Sequence, residues 1–256
     1  SFTGSTDTAR VIGRAAADNV VPFTAELGGK NPLLVFADAD LDLAAQKAAL
    51  QYDDAGQVCL SGTRLLVEES VVDDFLARFH GYVDAQVLGD PRDEATTISP
   101  LIHPEHLARV AGFVDRARDS GDEIVRGGQQ PAIGGLWYEQ TLIRPRSNDS
   151  EIVQNEVFGP VLTLQTFTSE EEAIALANST AYGLSGIAFT ASAERADRVG
   201  RAVRAGTFWV NCFLVRDLTA PFGGAGQSGI GREGGDYALD FYSDLKTLQI
   251  ADGTTG

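Results

Sequence analysis

Short runs of β-branched and leucine-rich positions alternate along the chain with longer segments in which apolar residues recur every three or four places. That alternation predicts an α/β architecture. Phe2-Thr3 reads as the end of a strand. Gly4 to Asn19 then reads as a small-residue turn followed by a helix, with Val11, Ile12, Ala15 and Ala16 on one face. Two short strands are expected between Val21 and Phe36, split by Gly28-Gly29 and Pro32, and a capped helix over Asp38 to Tyr52. Leu65-Leu66-Val67 reads as a buried strand. A helix follows over Val71 to Val87, turning Val72, Phe75, Leu76 and Phe79 inward. Pro104 suits the first turn of another helix. Glu123 to Gly135 gives a strand and a Gly/Pro-rich loop. Helices over Ser169 to Ala177 and Ala193 to Arg204 flank a strand at Ser185 to Thr190, and Gly206 to Asn211 is a further buried strand. The chain closes on a short helix and a strand-like Leu245 to Ile250, expected to pair with another sheet. No internal repeat is present.

The informative residues are those that break this pattern. Cys59 stands in a short loop between Gly56 and Gly62, where small neighbours let other groups approach a thiol; the same features fit an inert, buried cysteine. Glu26 interrupts the apolar run Val20 to Leu27. Buried near a cleft its pKa would rise toward that of a general base; exposed it would be an ordinary strand-end carboxylate. In Glu156-Val157-Phe158-Gly159-Pro160 an extended chain would put Glu156 and Phe158 on one side, as a hydrogen-bond acceptor and a flat apolar face, or simply as a strand start with a core aromatic. Arg216 is a lone arginine in an apolar loop, suited to bidentate capture of a carboxylate or to an internal salt bridge near Asp217. Gly4 and Ser5 precede a helix N-terminus, where backbone N–H groups can hold phosphate or merely be capped. His103 and His106 are spaced for metal, but no cysteine or carboxylate completes a site, so no metal is expected and a solvated helix start is the simpler reading.

Composition narrows the classes. With 36 Asp and Glu against 20 Lys and Arg, the formal charge of −16 argues against a nucleic-acid partner. No apolar run approaches the ~20 residues needed to span a bilayer, so no membrane partner is expected. Two cysteines in 256 residues do not make a disulfide framework, which points to a reducing cytoplasm. The chain has no methionine and opens on what reads as a strand in progress. We therefore expect the C-terminal part of a longer protein.

Taken together, Phe2-Thr3-Gly4-Ser5-Thr6, Glu26-Leu27-Gly28-Gly29-Lys30, Gly56-Gln57-Val58-Cys59, Glu156-Val157-Phe158-Gly159-Pro160 and Pro221-Phe222-Gly223-Gly224 occur in an order that resembles the NAD(P)-dependent aldehyde dehydrogenase superfamily, from residue 1 to Ile250. The resemblance implies an α/β catalytic domain over residues 30–225, the tail of a Rossmann-like cofactor domain over 1–29, and a return to that domain with an oligomerisation strand over 226–256. It implies that Cys59 is the nucleophile, Glu26 the general base, and the Cys59 N–H one oxyanion donor. Glu156 and Phe158 would hold the nicotinamide ribose and ring, and Gly4 and Ser5 the pyrophosphate side, with Ala9 where many relatives carry glycine. NAD or NADP would be the cofactor and a homodimer or homotetramer the assembly. Most of the cofactor sheet and the asparagine that completes the oxyanion hole would lie upstream of Ser1. Asn211 to Leu218 and Gly229 to Gly235 are similar to the branch acting on hydroxymuconic semialdehydes, in which Arg216 would hold the substrate carboxylate. The alternatives are a general aldehyde dehydrogenase, or a fragment serving as a binding or assembly module.

Overall fold

In a computed structural model, residues 1–251 and 253 are described. The elements are, in chain order, β1 (Phe2–Thr3), α1 (Thr6–Asp18), β2 (Ala25–Glu26), β3 (Pro32–Val35), α2 (Leu41–Ala49), β4 (Arg64–Glu68), α3 (Val72–Asp84), α4 (Pro104–Asp119), β5 (Glu123–Arg126), β6 (Thr141–Arg144), α5 (Glu151–Gln154), β7 (Val161–Phe167), α6 (Glu170–Ala177), β8 (Ser185–Phe189), α7 (Ala193–Ala202), β9 (Thr207–Val210), β10 (Gly229–Ile230) and α8 (Gly235–Tyr242). Seven strands form one sheet in the order β5-β6-β7-β4-β3-β8-β9, parallel throughout except for β5 at one edge.

The central strands β3, β4 and β8 are buried at almost every position because helices cover both faces. Leu33 and Val35 pack with Ala44, Ala45 and Ala48 of α2 and with Phe75 and Phe79 of α3. Leu34, one residue out of phase, packs on the opposite face with Ala173 of α6 and Val199 of α7. Burying each such Leu or Val contributes roughly 1.5–3 kcal/mol, so these layers hold the sheet in place. Helix starts are set locally: the side chains of Ser5, Asp40, Ser169 and Ser192 each accept a backbone N–H in the first turn of their helices. Such caps contribute about 1 kcal/mol each.

A smaller sheet lies apart in topology. Strand β2 runs between β1, parallel to it, and β10, antiparallel to it, so that Glu26 is paired with Thr3 on one side and Gly229 on the other. The segments entering β3, β4 and β7 therefore meet at the amino edge of the large sheet. Open α/β sheets more often bind ligands at the carboxyl edge. Arg64 braces this edge: fully buried, it donates from Nε to the Lys30 carbonyl at 2.8 Å and from its two terminal nitrogens to the carbonyls of Leu176 and Ala177, both at 2.7 Å. It thereby satisfies the end of α6 while fixing the entrance to β3.

Two expectations need correction. Leu245 to Ile250 forms no strand; Leu245, Leu248 and Ile250 are 94%, 74% and 79% exposed, and among the described residues no neighbouring strand accepts a ladder from them. Glu156 to Phe158 is not extended, because Phe158 takes φ = 59° and turns the chain before β7 begins. Strand β6 and the short helix α5 were not anticipated, since their few apolar residues carry no clear period. No described helix is long and apolar enough to cross a membrane.

Candidate active site

A cleft of about 660 Å³ opens at the junction of the two sheets, lined by Gly4, Ser5, Glu26, Gly28, Cys59, His106, Arg109, Glu156 and Phe158, among others. Six of the seven site residues expected from sequence thus converge on one cavity. Arg216 is not on its wall. It lies exposed, with its guanidinium 4.7 Å from the centre of the Phe222 ring. The salt bridge near Asp217 is not formed either, because Asp217 accepts from the backbone and hydroxyl of Thr219. Arg216 is nevertheless close enough to lower the pKa of Glu26.

Glu26 is only 8% exposed, and its Oε2 has no hydrogen-bond partner. Burial, reinforced by the charge of Glu233, raises its pKa to about 7 against the opposing pull of Arg232 and Arg216. A carboxyl so placed exchanges a proton near neutrality. Cys59 is half-buried and unpaired in any disulfide. Its thiol is pushed above the ordinary value by burial first and then by the charges of Glu156 and Glu26, while the N–H groups of Cys59 and Leu60 act in the opposite direction. It shares the cleft with Glu26, and two backbone N–H groups are turned toward the sulfur.

The glycines around the thiol have a steric cause. Gly56 holds φ = 67°, and a Cβ there would overlap the backbone carbonyl of Gly159. This close crossing brings the Cys59 loop against the Glu156–Pro160 turn. Gly28 is likewise pressed against the Glu156 carboxylate, whose Oε1 accepts the Gly29 N–H at 3.0 Å. Burial raises the pKa of Glu156, opposed by that N–H and by the charges of Lys30 and Arg109. Lys30 is fully buried with no partner for Nζ, and burial together with the Arg64 charge lowers its pKa to about 7.

Sequence reading missed the part α4 plays. Pro104 opens this helix, as expected, and His103 caps it. His106, however, faces the cleft and donates from Nε2 to the Phe158 carbonyl at 2.6 Å. One turn on, Arg109 donates to the carbonyls of Glu156, at 2.8 Å, and Val157. Three successive carbonyls are thus held by one helix face, which accounts for the left-handed turn at Phe158. The i,i+3 spacing of His106 and Arg109 was a signal for a shared face, but not for which way that face points. Among the described residues no group of three His, Cys, Asp or Glu side chains could hold a metal ion.

Residues 1–248 match the model of the aldehyde dehydrogenase family. The 2-hydroxymuconic semialdehyde dehydrogenase of Pseudomonas sp. (strain CF600) is 42% identical over 98% of this chain and 53% of its own. The betaine aldehyde dehydrogenase of Rhizobium leguminosarum bv. trifolii is 41% identical over 99% of this chain and 53% of its own. The chain therefore spans about half the length of the curated relatives it matches. Among solved structures, an NAD-dependent aldehyde dehydrogenase from Sinorhizobium meliloti superposes with a TM-score of 0.95 at 39% identity, covering all of this chain and 51% of that one. The betaine aldehyde dehydrogenase of Staphylococcus aureus in complex with NAD+ gives 0.91 at 41% identity, covering 94% of this chain and 49% of that one. Motif order, the cleft and the fold agree with these matches, and the chain belongs to the aldehyde dehydrogenase family.

Proposed function

We propose that the protein of which this sequence is part oxidises an aldehyde to the acid with NAD, using Cys59 as nucleophile and Glu26 as general base. The observation that carries the reading is the convergence of Cys59, Glu26, Glu156 and Phe158 on one cleft, which the thiol shares with a carboxyl raised to about 7. Cys59, once deprotonated, adds to the aldehyde carbon to give a thiohemiacetal, and its own N–H supports the developing oxyanion. Glu26 takes a proton from water, which then attacks the carbonyl carbon of the thioester. The carbon–sulfur bond breaks, and the acid leaves with Cys59 free again.

The cleft fits a dinucleotide in three respects. The N-terminus of the 13-residue α1 opens onto it, with the Ser5 side chain engaged as the cap and Gly4 and Ser5 on the wall. Glu156 offers a carboxylate and Phe158 an apolar face that is 36% exposed. The chemistry NAD supplies when bound is hydride acceptance, which takes the Cys59 adduct from thiohemiacetal to thioester. NADP would be accepted by the same groups.

For the substrate we favour a carboxylated semialdehyde such as a hydroxymuconic semialdehyde from aromatic ring cleavage. The support is Arg216, a cation near Glu26 with no carboxylate partner among the described residues. A second reading, betaine aldehyde, is favoured by the relatives of that name. Its quaternary ammonium would be repelled by the same guanidinium. Steady-state kinetics of Arg216→Ala in the full-length protein test the choice. A rise in KM of about tenfold for carboxylated aldehydes alone is expected for a lost ion pair; an equal effect on neutral aldehydes would remove the assignment.

We read residues 1–29 and 226–256 as parts of a cofactor-side unit and 30–225 as the catalytic domain. The small sheet, built from β1, β2 and β10, supports this division. The exposed Leu245, Leu248 and Ile250 support burial of the tail in a homodimer or homotetramer, and the two free cysteines a cytoplasmic setting.

A further inference from the structure

The Cys59 loop is held by polar side chains that are themselves buried. Asn31, 2% exposed and just ahead of β3, donates from Nδ2 to the carbonyl of Cys59 at 2.7 Å and to that of Ser61 at 2.9 Å. Its Oδ1 accepts the Ser185 N–H at 3.0 Å, so all its hydrogen-bonding groups are engaged. The Ser185 hydroxyl donates to the Leu60 carbonyl at 3.0 Å, and the Gln51 side chain accepts the Gly62 N–H at 2.7 Å.

A peptide unit is planar and trans, so its carbonyl and the N–H of the next residue point in opposite directions. Pinning the Cys59 carbonyl on Asn31 therefore aims the Leu60 N–H away from Asn31. The sulfur lies on that side, since the Leu60 N–H favours the thiolate. The Ser185 contact fixes a different plane, that of Leu60 and Ser61, whose N–H is spent on the Val58 carbonyl at 3.1 Å.

We propose that Asn31 is a positioning residue for the nucleophile: its hold on the Cys59 carbonyl keeps the Leu60 N–H directed at the Cys59 sulfur as the thiolate forms. This rests on the reading of Cys59 as nucleophile given above. A neutral amide is suited to the position because it supplies two donors to two carbonyls and one acceptor to an N–H, without bringing a charge next to the thiol.

The test is the pH profile of iodoacetamide alkylation at Cys59 in the full-length protein, read by peptide mass spectrometry. Wild type is compared with Asn31→Ala, with the milder truncation Asn31→Ser, and with Ser185→Ala. Both Asn31 variants are expected to move the alkylation midpoint upward and to slow alkylation at pH 7 by about tenfold, the size of a lost hydrogen bond to a charged group. They are also expected to lower kcat with the KM for NAD unchanged. Ser185→Ala is expected to leave the midpoint in place. If Cys59 of the wild type reacts faster than Cys212 while the Asn31 profiles superimpose on it, the positioning role is overturned and the nucleophile stands. If Ser185→Ala moves the midpoint equally, general loosening of the loop replaces the proposal. If wild-type Cys59 shows no excess over Cys212, the nucleophile assignment falls, and the role of Asn31 with it.

Discussion

In the proposed mechanism two acid–base groups set the chemistry at the residue scale, and burial acts on them in the same direction. It raises Glu26 to about 7, and it pushes the Cys59 thiol above its ordinary value. Glu26 is the acceptor only when ionised, so acid formation is expected to fall as pH drops through about 7. Glu26→Gln should abolish that inflection and slow turnover by ~100-fold or more, within the range for a general base. A kcat profile against pH checks both. Because folding raises the carboxyl, the folded state holds more protons than the unfolded one between the ordinary value and about 7, and stability declines across that window as pH rises. Lys30 behaves in the mirrored sense. Its folded pKa is depressed to about 7, so the cost of burying it is largest at low pH and eases as pH rises from 7 toward the ordinary lysine value. Lys30→Met is expected to raise Tm more at pH 6 than at pH 9, as thermal melts would show; an equal gain at both would mean the amine is not what titrates. Cys59 and Glu26 were singled out by the ordered motifs around them, since each alone fits an inert residue as well. His106 and Arg109 were not, because polar residues at a helix start look alike whether that face meets solvent or a cleft.

The site is made by close crossings of segments that enter the sheet, a property of elements rather than single groups. The Cys59 loop passes the Gly159 carbonyl at Gly56, which has no Cβ and takes φ = 67°. Gly56→Ala is expected to lose about 1–3 kcal/mol through backbone strain and overlap, and to lower kcat as the loop is displaced. Chemical denaturation and steady-state rates would register the two effects; an unchanged midpoint would contradict the crossing. The sequence pattern disclosed most of these elements. The strands β3, β4, β8 and β9 each contain a short apolar run, and α1, α2, α3, α6 and α7 each have a cap or a face. It failed where tertiary contacts decide: the left-handed Phe158 is held by carbonyl contacts from α4, more than forty positions earlier. Leu245 to Ile250 has the composition of a strand, but strand structure needs a neighbour, and none among the described residues lies alongside it.

At the scale of the whole molecule, an acidic chain of formal charge −16 presents a site whose nearby cations are Lys30, Arg109, Arg216 and Arg232. The first two act on Glu156 and the last two on Glu26, so the cations of the site are set against its two buried carboxylates. Covalent catalysis through Cys59, as proposed, is tested most directly by one measurement. The full-length Glu26→Gln protein is mixed with NAD and an aldehyde, quenched in acid within a turnover, digested and weighed peptide by peptide. Loss of the base should leave the thioester unhydrolysed, so the peptide containing Cys59 is expected to carry the acyl mass, and the one containing Cys212 none. An acyl group on Cys212, or turnover to free acid with no adduct on Cys59, would contradict the account.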